Sequence, residues 1–133
     1  MGPLRTKTID CAAFILLKGQ EILVEKRKMS KQTDPGKVAI PSGKAEAGED
    51  IRTTCKREME EELNIKPLKL EFLTEELHDN GLYYERIHYF VCTDWKGEVQ
   101  PLEAEQVYWV NSNQLDALEL QADRKAISKL LKL

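Results

Sequence analysis

Asp50-Ile51-Arg52-Thr53-Thr54-Cys55-Lys56-Arg57-Glu58-Met59-Glu60-Glu61-Glu62-Leu63-Asn64 is the stretch on which the reading of the fold turns. Ile51, Cys55, Met59 and Leu63 recur every four residues, which places one apolar stripe along a helix over 51–63. Asp50 is a good N-cap, because its carboxylate can accept from the free amides of the first turn. Asn64 follows the last periodic residue and tolerates the left-handed geometry that ends helices. Arg57, Glu58, Glu61 and Glu62 form the opposite, polar stripe. Glu58, Glu61 and Glu62 stand at i, i+3 and i+4, so their carboxylates share a face. Their repulsion costs a few tenths of a kcal/mol per pair. They also lie in the C-terminal half, where the helix dipole disfavours anions. Either solvent and Arg57 screen them or a divalent cation binds.

Outward from this helix, residues 42–49 read as a loop with Gly43 and Gly48 near its ends. Ile9–Leu17 and Glu21–Arg27 read as a hairpin broken at Gly19-Gln20. Lys28–Lys37 reads as a loop, and Val38–Ile40 as a short strand stopped by Pro41. Beyond the helix, Leu68, Leu70 and Phe72 alternate with Lys69 and Glu71, which predicts a half-buried strand. Tyr83–Thr93 and Val107–Val110 follow as strands, and Ser112–Leu118 as a helical turn or two. Asp123–Leu133 predicts a closing amphipathic helix with Ile127, Leu130 and Leu131 inward. Strands, helix, strands, helix is the order of an α/β fold with a mixed sheet between helices.

The 133 residues suggest a single domain over 1–133, with 1–7 a flexible or cloning-derived start. The net charge of -3 disfavours a nucleic-acid polymer or an anionic membrane as partner. Cys11, Cys55 and Cys92 are odd in number and far apart, so they read as reduced, buried thiols in a cytoplasmic protein. No run of about 18 apolar residues is present to span a bilayer.

The spacing around the helix is more specific than the helix itself. Gly43, five residues, Glu49, seven residues, then Arg57-Glu58-Met59-Glu60-Glu61-Glu62-Leu63-Asn64-Ile65 resembles the Nudix box. That box runs Gly, five of any, Glu, seven of any, Arg-Glu-aliphatic-any-Glu-Glu-any-Gly-aliphatic. Its six charged and glycine positions that match here would coincide by chance about once in 10⁷ starts. The one departure is Asn64 in place of the last glycine, and asparagine is the second choice for that turn. Gly36–Gly43 also resembles the family's approach to the box, with Ser42 where glycine is more usual.

The resemblance implies the Nudix α/β/α sandwich and hydrolysis of a pyrophosphate bond in a small nucleotide-like molecule, with Mg²⁺ as cofactor and Mn²⁺ as the alternative. A hard cation takes oxygen ligands, neutralises phosphate and lowers the pKa of a bound water. By resemblance Glu61 and Glu62 are metal ligands, Glu58 is a further ligand or orients the attacking water, and Ser42 offers its backbone carbonyl. Arg57 and Glu49 are a supporting pair beside Gly43. Glu46, outside the fixed positions, reads as surface. Many members draw a base from a later loop, for which Glu103 and Glu105 are the candidates.

Arg27 and Lys44 are candidate phosphate donors, or else solvated cations. Tyr83, Tyr84 and Trp109 are candidate stacking surfaces for a base, or else sheet packing. His78 and His88 lack a partner signature. The expected substrate is a nucleoside triphosphate, cut to monophosphate and pyrophosphate as by MutT-like members. ADP-ribose, a dinucleoside polyphosphate, or a non-catalytic nucleotide-binding module are the alternatives. Family members are often dimers, so a homodimer is one expected assembly.

Overall fold

A computed structural model of the chain describes residues 7–133. The expected start segment, residues 1–7, lies outside the described residues apart from Lys7. Strands β1 (Thr8–Lys18), β2 (Glu21–Lys26), β3 (Val38–Ala39) and β4 (Ser42–Lys44) precede helix α1 (Ile51–Leu63). Strands β5 (Lys66–Asp79), β6 (Tyr84–Lys96) and β7 (Gln106–Asn111) follow, then a 3₁₀ turn at Leu115–Ala117 and helix α2 (Gln121–Leu130).

The sheet runs β3-β2-β1-β6-β5, with β4 added to β1 and β7 to β2. β1 and β6 are parallel from Thr8↔Tyr84 to Leu16↔Cys92, and the other pairings are antiparallel, so the sheet is mixed. β1 is covered on both faces, as its unbroken apolar run requires. Cys11, Ala13 and Ile15 pack with Ala122, Ala126 and Ile127 of α2. Ala12, Phe14 and Leu16 pack with Cys55, Met59 and Leu63 of α1. This is an α/β/α sandwich.

One feature of the pairing makes the cleft. β1 meets β2 only beside the turn, at Leu17↔Ile22 and Lys18↔Glu21, where Gly19 takes a positive φ. Farther along, Cys11, Ala12 and Ala13 pair with β4 instead. The two halves of the sheet therefore splay, and a gap opens between the end of β2 and the β1–β4 ribbon.

Three expectations are corrected. The segment 42–44, read as loop, is strand β4. β5 is longer than its apolar core suggested, and register shifts between Pro67 and Leu70 and between Phe72 and Thr74 break its alternation. Leu70 is consequently buried at 6% exposure while Leu68 and Phe72 are 60% and 55% exposed. α2 begins at Gln121 and ends at Leu130, so Leu131 lies past the last helical turn and is 50% exposed rather than inward. Leu130 is half-buried and Ile127 fully buried. Asp123, expected only to open the helix, is buried, and accepts from Ile40 N (2.9 Å) and Tyr89 Oη (2.6 Å).

α1 forms as its caps dictate. The Asp50 carboxylate accepts from Thr53 N at 2.9 Å, and Asn64 ends the helix at φ 61°. Met59→Ala is expected to destabilise the fold by about 2–5 kcal/mol, because it leaves a cavity under a fully buried side chain. Leu131→Ala should change stability by less than about 0.5 kcal/mol. Urea unfolding of the two variants checks both.

Candidate active site

Arg57 organises the site. Its Nε and Nη2 form a fork on Glu49 at 2.8 and 2.9 Å, and Nη2 also donates to the Lys44 carbonyl at 2.9 Å. Nη1 donates to Glu58 Oε1 at 2.8 Å and Glu61 Oε2 at 3.0 Å, with Glu46 3.7 Å away. Planar, five-donor geometry makes this possible for arginine and not for lysine. The fork, with a hydrogen bond from the Thr54 hydroxyl, holds the Glu49 carboxyl down to about 2. The segment 42–49, β4 and the turn after it, is thereby tied to the middle of α1.

Gly43 completes that tie by close approach. A Cβ there would overlap the Glu58 carboxylate, so glycine is required for helix and β4 to lie this close. Glu58 is buried, and burial raises its pKa against the opposing pull of Arg57.

The cleft opened by the splayed sheet measures roughly 260 Å³ and is lined mostly by polar side chains. Arg27, Lys31 and Thr33 come from the end of β2 and the loop after it; Ser42, Gly43 and Lys44 are β4. Glu58 and Glu62 come from α1, and Glu103 from the segment before β7. Cys11 and Glu85 form the remaining lining. Arg27 is anchored by hydrogen bonds to the Thr33 carbonyl at 3.1 and 2.9 Å, so its guanidinium is preset in place.

The carboxylates here are poorly compensated. Glu62 Oε2 is enclosed and has no hydrogen-bond partner. Burial first, then repulsion from Glu25, Glu58 and Glu103, raises the Glu62 pKa well above the ordinary value. Glu25, on β2, is 6% exposed, and burial pushes it up to about 7.

The sequence expectations divide accordingly. Glu58, Glu62, Ser42, Gly43, Arg27, Lys44 and Glu103 meet at the cleft. Glu61 sits on the exposed side of Arg57, and Glu105 lies off the lining. Tyr83 is buried beneath Lys44, whose Nζ is 4.9 Å from the ring centroid. Trp109 stacks on Trp95 at 6.0 Å, under Lys18, away from the cleft. His78 pairs with Asp34 at 2.9 Å and His88 with Asp10 at 3.0 Å, both outside the lining. Cys11 is buried and its thiol is pushed up to about 12, so it remains protonated.

Lys31, Thr33, Cys11 and Glu85 line the cleft without a sequence signal of their own. Glu25 had one weak sign. It is in phase with Leu23, and both faces of β2 are covered, so the carboxylate is drawn inside.

The NUDIX domain matches residues 7–131. The chain belongs to the Nudix family and is a Nudix hydrolase. It is 30% identical over 128 residues to the 8-oxo-dGTP diphosphatase of Haemophilus influenzae, covering 94% of this chain and 93% of that protein. Its fold matches the solution structure of the E. coli ORF135 protein with a TM-score of 0.80 and 25% identity, over 99% of this chain and 95% of that one. It also matches the MutT Nudix hydrolase of Burkholderia pseudomallei with a TM-score of 0.81 and 24% identity, over 93% and 98%. Among the described residues no helix is long and apolar enough to cross a membrane.

Gly43→Ala is expected to displace the Glu58 carboxylate and lower kcat/KM by about 10²-fold while the protein still folds, as misplacement by an ångström can do. Steady-state hydrolysis with a circular dichroism control checks this. Glu25 also sets a pH dependence. Its folded pKa lies above its unfolded value near 4.5, so the native state holds the extra proton between roughly pH 4.5 and 7. Stability therefore falls as pH rises through that window. Glu25→Gln should flatten the fall, by on the order of 1–3 kcal/mol between pH 5 and 8. Urea titrations with a chelator present measure it.

Proposed function

We propose that this chain hydrolyses a phosphoanhydride bond of a nucleoside triphosphate, releasing a monophosphate and pyrophosphate, with Mg²⁺ as cofactor and Mn²⁺ as substitute. The observation that carries this reading is the enclosed, unpartnered Glu62 oxygen, set among mutually repelling carboxylates beside three cations. Buried anions in that state call for a positive partner. Among the described residues no group of three His, Cys, Asp or Glu side chains is arranged to hold an ion alone. Mg²⁺ does not need one, because one or two carboxylates plus substrate phosphates are its usual ligands. The oxygen-only donors of Glu58, Glu62 and the Ser42 carbonyl would hold it, with Glu61 as a further carboxylate ligand. When bound, the ion supplies charge neutralisation at the phosphates.

The chain's own residues supply the rest. Arg27, Lys31 and Lys44 bind the phosphate oxygens, Arg27 with least loss of freedom because Thr33 already holds it. Glu58 positions the attacking water. Glu103 accepts its proton, in preference to Glu105, because it lines the cleft. The P–O bond to the leaving pyrophosphate breaks as the bond to the water oxygen forms. The 8-oxo-dGTP diphosphatase relative supports a triphosphate as substrate.

An assay of nucleoside triphosphates, ADP-ribose and dinucleoside polyphosphates with Mg²⁺ tests the substrate. Turnover of ADP-ribose with inert triphosphates would overturn the preference, and no turnover of any would favour a binding module. Glu62→Gln is expected to lower kcat by about 10²–10³-fold with the fold intact. Ion binding must drive protons off the raised carboxylates, so Mg²⁺ affinity should strengthen from pH 6 to 8 with proton release. Calorimetry in two buffers of different ionisation enthalpy measures that release.

A further inference from the structure

The turn between β5 and β6 orients one more cleft residue. Asn80 Oδ1 accepts from the backbone amides of Leu82 and Tyr83, both at 3.0 Å. This fixes which way the Asn80 amide faces, so its Nδ2 must be the group pointing at Glu85. Nδ2 donates to Glu85 Oε2 at 2.6 Å. That oxygen is therefore committed. The other, Oε1, lies on the Cys11 side, where its neighbour is a protonated thiol at 3.9 Å, a weak donor. Cys11 and Glu85 both line the cleft. Glu85 thus offers a strong acceptor whose direction is set by backbone geometry two links away.

A carboxylate is a poor neighbour for phosphate, so this part of the cleft suits an uncharged, donor-bearing part of the ligand. Among the described residues that line the cleft none is aromatic, so recognition here falls to hydrogen bonds more than to stacking. A site built to accept from a ligand's O–H or N–H rejects an analogue lacking it, because the buried acceptor is then left unpaired. We propose that Glu85, oriented by Asn80, is the specificity-determining acceptor for the nucleoside part of the substrate, taking a hydrogen bond from a ribose hydroxyl or a base N–H. This rests on the cleft being the nucleotide site.

Glutamine at this position gives a sharp test. Because Asn80 donates to Oε2, the amide oxygen of Glu85→Gln must face Asn80 and its NH₂ must face the cleft. An acceptor becomes a donor with the shape unchanged. The substrate pairs are GTP against ITP and ATP against purine riboside triphosphate for the base amine. For the sugar, each ribonucleotide is compared with its 2′-deoxy and 2′,3′-dideoxy forms. The wild type is expected to favour the donor-bearing member of at least one pair by about 10- to 100-fold, carried by KM. Glu85→Gln should abolish or invert that ratio, and Glu85→Ala should bring it towards unity. The pair affected identifies the source of the donor.

A merely structural role would lower Tm and weaken all substrates alike. Ratios equal in wild type and both variants overturn the proposal. Calorimetry with the same nucleotides and Ca²⁺ reads the ratios as Kd values. Absent hydrolysis with discrimination intact would therefore sink the catalytic reading alone, and absent binding would sink both.

Discussion

The guanidinium of Arg57 joins the segment 42–49, the middle of α1 and the edge of the cleft at one point. It satisfies Glu49 by a two-pronged fork, and with its remaining donors holds Glu58, Glu61 and the Lys44 carbonyl. The Thr54 hydroxyl adds one hydrogen bond to Glu49, while the other side chains of the segment are short or exposed. Gly43 permits the closeness and Arg57 exploits it. The depth of Glu58, and so the shape of the cleft wall, follows from both.

Against this well-compensated side stands a poorly compensated one. Arg57 neutralises Glu61 on α1 and Glu49 before it, but Glu62 is out of its reach and meets Glu25, Glu58 and Glu103 instead. Burial, helped by repulsion from neighbouring carboxylates, raises the pKa of Glu25, Glu58 and Glu62 above the ordinary carboxylate value. The asymmetry sits on one helix within two turns. One side is a structural ion-pair network, and the other is a group of enclosed carboxylates with an unmet demand for positive charge.

The cleft itself comes from a topological decision in β1. While β6 pairs with it from Thr8 to Leu16, β4 takes Cys11–Ala13 and β2 only Leu17 and Lys18. A strand shared in this way forces the sheet to open, and the opening is bounded by whatever side chains happen to stand there. That is why Cys11, Arg27 with Lys31, and Glu85, from three separate places in the chain, face a common space.

The box residues and the helix that bears them were legible in sequence because their information is local. Periodicity sets the buried stripe of α1, Asp50 and Asn64 set its ends, and fixed spacing sets Gly43, Glu49 and Arg57 within one another's reach. The order of strands and helices, and the mixed sheet, were legible for the same reason. Sequence did not reveal that Glu25 lies inside, that Trp109 stacks on Trp95 away from the cleft, or that Leu131 faces solvent. Nor did it separate Glu103 from Glu105, or Glu62 from Glu61. Each of these depends on which faces of a strand are covered, where a bulge shifts register, and how far a sheet splays. Those are properties of contacts between segments distant in the chain, and only the packed tertiary structure decides them.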